Sequence, residues 1–472
     1  MSRRKFLRQS ALLSSAVILR PALSWAGQKE FPVVRIPAAQ RKFRSEAVEK
    51  AIAAVKSKST NAELSWLFEN CFPNTLDTTV EYKMKDGRPD TYVITGDIDA
   101  MWLRDSTAQV SPYLPLVKED EQLRHLIAGV INHQVKCVLK DPYANAFYGD
   151  ETKQGEWKSD LTDMKPGIHE RKWEIDSLCY PIRLAYQYWK ITGDASPFDA
   201  TWKQSIELTL KTFKEQQRKD GPGPYHFQRT TSWATDGVPL GGYGYPVKPV
   251  GLICSVFRPS DDATIWPFLV PSNFFAVVSL RQAAEMVLAF HKDANLANAC
   301  RTLATEVENA LQKYAIVTHP QFGKVYAFEV NGFGSFNLMD DANVPSLLAL
   351  PYLGAIKPND PVYINTRKMI LSSENPFFFS GKAGKGIGSP HTGLNKIWPI
   401  SLVIQGLTSN NEAEIKQCLQ TLQQCHAGKG FMHESFDKDD PAKFSRSWFA
   451  WANTIFGEFI WKVYKERPHL LK

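Results

Sequence analysis

Two adjacent carboxylates, Asp261 and Asp262, follow an arginine in Phe257-Arg258-Pro259-Ser260-Asp261-Asp262 and lead into an apolar and aromatic run containing Trp266 and Phe268. Desolvation by Trp266 and Phe268 raises an acid's pKa, Arg258 lowers a neighbour's, and two abutting acids cannot both ionise cheaply. That is the setting of a general acid that keeps its proton near neutral pH. The same letters also read as a helix start capped by Ser260 or Asp261, and the stretch alone leaves both readings open. Another carboxylate lies far downstream in Gly430-Phe431-Met432-His433-Glu434-Ser435-Phe436. Glu434 sits between apolar residues without a basic neighbour at helical spacing, and His433-Glu434 lacks the second histidine of a zinc motif. Facing each other across a cleft, Asp261 and Glu434 would supply the two carboxyl groups that glycoside hydrolysis needs.

Other clusters could serve the same cleft. Thr95-Gly96-Asp97-Ile98-Asp99-Ala100-Met101-Trp102-Leu103-Arg104-Asp105-Ser106 spaces two acids as D-x-D, but no histidine or further acid cluster completes a metal set. Sugar recognition fits Asp99, Trp102, Arg104 and Asp105 better, with an aromatic face for a pyranose and charged forks for adjacent hydroxyls. Asp105 or Ser106 also reads as a helix cap, and capping likewise accounts for Trp173-Glu174-Ile175-Asp176-Ser177. Asp340 and Asp341 precede another apolar segment. The glycines at 381, 384, 386 and 388 lack the Lys-Ser/Thr of a phosphate loop and read as a rim or lid bearing His391. Arg446 stands ahead of the aromatic run Trp448-Phe449-Ala450-Trp451.

Helices must position these groups. Apolar spacing of i, i+3 and i+4 predicts them near 45–57, 60–70, 105–117, 120–139, 174–192, 201–218, 273–291, 294–315, 342–353, 396–407, 411–425 and 446–464. Two hairpins are expected, one turning at Asp86-Gly87 and one at Asn331-Gly332. About a dozen helices joined by long Gly-, Pro- and aromatic-rich connections suggest a single barrel of helical hairpins with its site at one mouth.

Residues 1–26 read as a leader: Arg3-Arg4 ahead of a modest apolar run and Ser24-Trp25-Ala26 at a cleavage point suit the twin-arginine export machinery and a periplasmic or secreted product. That run is too short to span a bilayer, so no stable membrane insertion is expected after cleavage. The leader holds five cations and no acid, so the net charge of +7 drops to +2 without it, which argues against a nucleic-acid partner. Seven scattered cysteines without a C-x-x-C pair read as buried apolar residues.

The chain resembles glycoside hydrolase family 125, the exo-acting α-1,6-mannosidases, over about residues 40–465. The resemblance rests on the 96–106 and 257–262 stretches, on Val270-Pro271-Ser272-Asn273, on Gly388-Ser389-Pro390-His391-Thr392-Gly393 and on Met432-His433-Glu434-Ser435-Phe436. It implies an all-α (α/α)6 barrel over 27–472, no catalytic metal or cofactor, an α-mannoside oligosaccharide as substrate, and inversion of anomeric configuration. It puts the general acid on Asp261, in preference to Asp262, and the base on Glu434. The terminal sugar would be held by Asp99, Trp102, Arg104, Asp105, Arg258, Asp341, His391 and Arg446. The rivals are another (α/α)6 glycosidase of the glucosidase or trehalase type, and a non-catalytic glycan-binding protein.

Overall fold

Residues 31–472 are described in the computed structural model; the leader at 1–26 lies outside them. The helices of eight or more residues are α1 (Glu46–Lys58), α2 (Ala62–Cys71), α3 (Leu103–Val110), α4 (Glu121–Lys140), α5 (Ile175–Thr192), α6 (Ala200–Gln216), α7 (Val270–His291), α8 (Ala294–Tyr314), α9 (Pro361–Ile370), α10 (Pro399–Leu407), α11 (Glu412–Gln424) and α12 (Ala450–Glu466). They make a mostly helical protein with short hairpins.

The helices fall into two kinds. In α1, α2, α4, α6, α8, α9 and α11, a side-chain oxygen of Ser45, Asn61, Asp120, Asp199, Asp293, Asp360 or Asn411 accepts from a first-turn N–H, satisfying an otherwise orphan donor. In α3, α5, α7, α10 and α12 the cap positions are Trp102, Glu174, Leu269, Trp398 and Phe449, and no side chain caps the first turn. These uncapped helices pack on one another: α3 on α5, α5 on α7, and α12 on both α3 and α10. Successive helices also pack together, α1 on α2, α3 on α4, α7 on α8 and α10 on α11, while α4 meets α6, α6 meets α8, and α2 meets α11. Because α7 is enclosed between α5 and α8, it is apolar enough to pass for a membrane span by composition, as a helix buried on several sides must be.

Three sequence expectations need correction. No helix forms over 342–353: the Asp340 carboxylate accepts the backbone N–H groups of Leu347 (2.8 Å) and Leu348 (3.0 Å), drawing that segment into turns between Pro345 and Pro351. The helix expected at 105–117 is α3 followed by a 3-10 stretch, Ser111–Leu116, because Pro112 and Pro115 interrupt it. Helix α9 escaped notice, although Asp360-Pro361 is a cap followed by proline at the first helical position.

Both hairpins form. Val80–Lys85 pairs antiparallel with Arg88–Val93 through Asp86 (φ 52°) and Gly87 (φ 76°), a turn needing positive φ at both centres. The second joins Glu329–Val330 to Phe336–Asn337 around Asn331-Gly332, with a longer loop than two residues and Phe268–Leu269 added to its other edge. All seven cysteines are free and buried.

Candidate active site

Every uncapped helix begins just after one of the motifs read from the sequence. Asp261 precedes α7, His391 precedes α10, Glu434 and Arg446 precede α12, and Trp102 and Glu174 occupy the cap positions of α3 and α5. Helix N-termini carry partial positive charge, so this end of the bundle favours carboxylates.

The Asp261 loop is a tight turn. Arg258 N–H donates to the Asp262 carbonyl (2.7 Å) and Asp261 N–H to the Arg258 carbonyl (2.9 Å). Asp261 adopts φ 66°, a region that short polar side chains tolerate better than others. The turn sends the two neighbouring acids in different directions. Asp262 is buried and its Oδ1 lies 3.0 Å from His391 Nδ1. The Asp261 side chain remains 22 % exposed, and its Oδ1 accepts from Arg104 Nη2 (3.0 Å) and Asn145 Nδ2 (3.3 Å).

Arg104 is the hub of this wall. Its Nη1 donates to Glu174 Oε2 at 2.6 Å and to Asp176 Oδ2 at 3.0 Å, and Asp105 Oδ2 lies 3.7 Å from its Nε. Lys172, also buried, donates to the Asp261 carbonyl (2.7 Å) and to Asp236 (2.9 Å), with Glu170 at 3.3 Å. Arg229 extends the network to Asp160 (2.6 Å) and Glu170 (2.8 Å).

The backbone holds Glu434 from two directions. Met432 N–H donates to Asn453 Oδ1 of α12 (2.8 Å), and Ser435–Asp437 pairs with both Lys396–Ile397 and Phe444–Ser445. Arg446 Nη1 reaches Glu434 Oε1 at 3.4 Å, while its Nη2 and Nε donate to Asp97 Oδ1 at 2.6 and 2.9 Å. Gly96 lets these loops meet: at φ 130° its backbone lies so close to Trp448 that a Cβ would sit 2.6 Å from the Trp448 carbonyl oxygen.

The electrostatics follow from these contacts. Burial opposes charge on His391, yet the hydrogen bond with Asp262 and the charges of Asp262, Glu434 and Asp261 outweigh it and push the imidazole up to about 9. His391 therefore senses acids from both motifs. Burial raises the Asp261 carboxyl, but Arg104, Lys172 and Glu174 together outweigh it and hold Asp261 below its ordinary value. Burial pushes Glu174 well above the carboxylate range despite Arg104. His433 is lowered to about 4 by burial, and its ring lies flat on Phe444 with centroids 3.7 Å apart.

Several sequence readings change accordingly. Arg258 does not hold Asp261; it is buried against Glu329 (2.6 Å), whose other oxygen accepts the N–H groups of Ile265 and Trp266. Trp266 faces Tyr245, 5.7 Å between ring centroids, and Asp261 is not raised as expected because Arg104, Lys172 and Glu174 together outweigh its burial. Arg104 and Asp105 are buried and engaged within the protein, Asp105 accepting from Thr95 Oγ1 at 2.6 Å, and neither caps a helix. Asp341 is buried too: Ser260 Oγ (2.9 Å) and Ser389 Oγ (3.1 Å) donate to it, tying the Asp261 and His391 loops together. Asp99 is largely exposed beside Lys153. Trp102 sets its ring against His169 (5.1 Å), and its Nε1 has no partner among the described residues. Sequence reasoning missed Asn145, Glu170 and Lys172 altogether. Glu174 was visible but was taken for a cap.

Comparison with known proteins gives the family. A family model described as metal-independent α-mannosidase, glycoside hydrolase family 125, matches residues 61–461. The meiotically up-regulated gene 157 protein of Schizosaccharomyces pombe is 42% identical over 476 residues, 95% of this chain and 93% of that protein. A Streptococcus pneumoniae metal-independent α-mannosidase, solved in a non-productive complex with α-1,6-mannobiose, is 44% identical with a TM-score of 0.86, covering 90% of this chain and 100% of that one. A family 78 rhamnosidase from Bacillus sp. GL1, 11% identical with a TM-score of 0.51 over 91% of this chain and 36% of its own, shares the fold alone. The chain therefore belongs to glycoside hydrolase family 125, the metal-independent α-mannosidases.

Proposed function

We propose that this α-mannosidase acts from the non-reducing end on α-1,6-linked mannose and inverts the anomeric configuration, with Asp261 as general acid and Glu434 as general base. The observation that carries the reading is that the 257–262 turn buries Asp262 against His391 and leaves the Asp261 side chain partly exposed on Arg104, while Glu434 is held by Arg446. The Streptococcus pneumoniae complex with α-1,6-mannobiose supports the linkage. Packing of successive helices in pairs, with the irregular 342–353 segment standing before α9 where another inner helix would be, supports an (α/α)6 barrel.

Asp261 protonates the glycosidic oxygen as the C1–O bond breaks. Glu434 takes a proton from a water attacking the opposite face of the mannose ring, which calls for carboxyl groups ~6.5–9.5 Å apart. Arg446, bridging Asp97 and Glu434, orients the base. Asp99, Trp102, His391 and Arg446 are the groups we assign to the terminal sugar; Arg104, Asp105, Arg258 and Asp341 hold the walls. Residues 1–26 are read as a twin-arginine leader giving a periplasmic or secreted enzyme, and buried free cysteines suit folding in a reducing cytoplasm before export.

The test is digestion of linear mannooligosaccharides labelled at the reducing end. Release of mannose alone, with α-1,6 links cleaved far faster than α-1,2 or α-1,3 links, is expected. Early appearance of internal fragments would overturn exo action, and equal rates on all linkages would overturn the linkage assignment.

A further inference from the structure

We propose that Glu174 is the resting seat of the proton that Asp261 delivers to the leaving group, so that a Glu174–Asp261 carboxyl pair, positioned by Arg104, carries the acid function. This rests on the reading of Asp261 as general acid.

The argument begins with charge around one guanidinium. Arg104 touches Glu174, Asp176 and Asp261 at 2.6, 3.0 and 3.0 Å, and Asp105 lies 3.7 Å away. Glu174 and Asp176 are wholly buried, and the Arg104 side chain is 3 % exposed. Four carboxylates cannot all be ionised around one cation out of water. The next cations do not make up the deficit. Lys172 and Arg229 are already shared among Glu170, Asp236 and Asp160. At least one proton therefore stays in the cluster.

Its place follows from the contacts. Asp105 accepts from Thr95. On Glu174, Oε2 accepts from both Arg104 and Ser177 (2.9 Å), while Oε1, like Asp176 Oδ1, meets no donor among the described residues. Glu174 and Asp261 take the two terminal nitrogens of one guanidinium, Nη1 and Nη2, so each opposes charge on the other, and a proton held by one of them relieves that repulsion. Glu174 is the buried member and is raised by that burial, whereas the Asp261 side chain is partly exposed and Arg104 and Lys172 favour its charged form. Glu174 also faces Tyr225 and Asp176, and Asp261 faces Asp105, His169, Glu170, Lys172 and His391.

In the reaction the proton moves from Glu174 to Asp261 and from Asp261 to the glycosidic oxygen, which keeps the electron pair of the broken C1–O bond. Glu434 receives one proton from the attacking water and the anomeric carbon receives the hydroxyl. Afterwards Glu434 loses its proton to solvent and solvent reprotonates the pair. Without Glu174, Asp261 would have to carry the proton itself beside Arg104 and Lys172, which both favour its charged form.

The test compares Glu174→Gln, Glu174→Asp and Asp261→Asn with wild type on α-1,6-mannobiose and on an aryl mannoside whose leaving group needs little protonation, measuring kcat/KM against pH. Glutamine keeps the size and a donor toward Asp261 but has no proton to transfer. Glu174→Gln should lose about 10²-fold on the disaccharide at neutral pH and only a few-fold on the aryl mannoside, the scale of general-acid catalysis. Its alkaline limb should move to lower pH by about one unit or more as the remaining acid titrates alone, and Glu174→Asp should restore part of the disaccharide rate. An unmoved alkaline limb, or equal losses on both substrates, would overturn the proposal. Equal losses for Asp261→Asn would overturn the acid assignment beneath it; a leaving-group dependence in Asp261→Asn but not in Glu174→Gln would overturn the pair alone. Should Glu174→Gln not fold, infrared spectra of protein labelled with ¹³C at glutamate carboxyls decide the matter. A labelled protonated-carboxyl band present at neutral pH and diminished in Glu174→Asp supports the proposal, and an unchanged band overturns it.

Discussion

His391 Nδ1 lies 3.0 Å from Asp262 Oδ1, and this pair locks the His391 loop onto the turn that aims Asp261 the other way. Burial works against the imidazolium but the acids around it prevail, raising the pKa from 6.5 to about 9. A raised histidine pKa stabilises the fold fully below pH 6.5, progressively less between 6.5 and 9, and not at all above. The contribution at stake is at most about 3 kcal/mol, at 1.36 kcal/mol per pKa unit. Denaturant titrations at pH 6 and pH 9.5 should show a larger loss for wild type than for Asp262→Asn, and parallel losses would contradict the pairing.

The Asp261 turn is also held from behind by Arg258 and Glu329, both buried and 2.6 Å apart. Glu329→Ala leaves that guanidinium unpaired and removes the acceptor for the Ile265 and Trp266 N–H groups. A loss of about 3–5 kcal/mol is expected by chemical denaturation, the scale for breaking a buried ion pair.

Gly96 joins the loop carrying Trp102 to the loop carrying Arg446. Alanine there meets the Trp448 carbonyl at 2.6 Å in a backbone region hostile to side chains. Gly96→Ala should cost more than about 1–3 kcal/mol and lower activity as the Arg446 loop shifts. Gly87→Ala, whose Cβ meets nothing within 4 Å, should cost only about 1–2 kcal/mol.

Glu434→Gln preserves shape and the contact with Arg446 while removing the base. Activity should fall by about 10²–10⁴-fold, with binding of mannobiose by calorimetry little changed. Full activity would contradict the base assignment.

The sequence disclosed the motifs and most helices, but assigned several side chains to the wrong partners. Ser45, Asn61, Asp120, Asp199 and Asn411 announce helices by caps that a local reading can find. The helices that open at the site start after Trp102, Glu174, Leu269, Trp398 and Phe449, where no side-chain cap exists, so acids nearby were easily misread. Glu174 looked like a cap because its partner Arg104 is 70 positions away. Arg258 looked like Asp261's partner through adjacency, yet the turn directs it to Glu329, 71 positions on. The apolar pattern at 342–353 was sound as a core signal, since most of that segment is buried; only the competition of the Asp340 carboxylate for its N–H groups removed the helix. Long-range charge pairing is what one-dimensional spacing could not supply.

The central claim is a single displacement between Asp261 and Glu434, and the anomer first released from α-1,6-mannobiose reads it out directly. Proton NMR before mutarotation should show β-mannose as the initial product. Initial release of α-mannose would mean a double displacement and would contradict the roles assigned to both carboxylates.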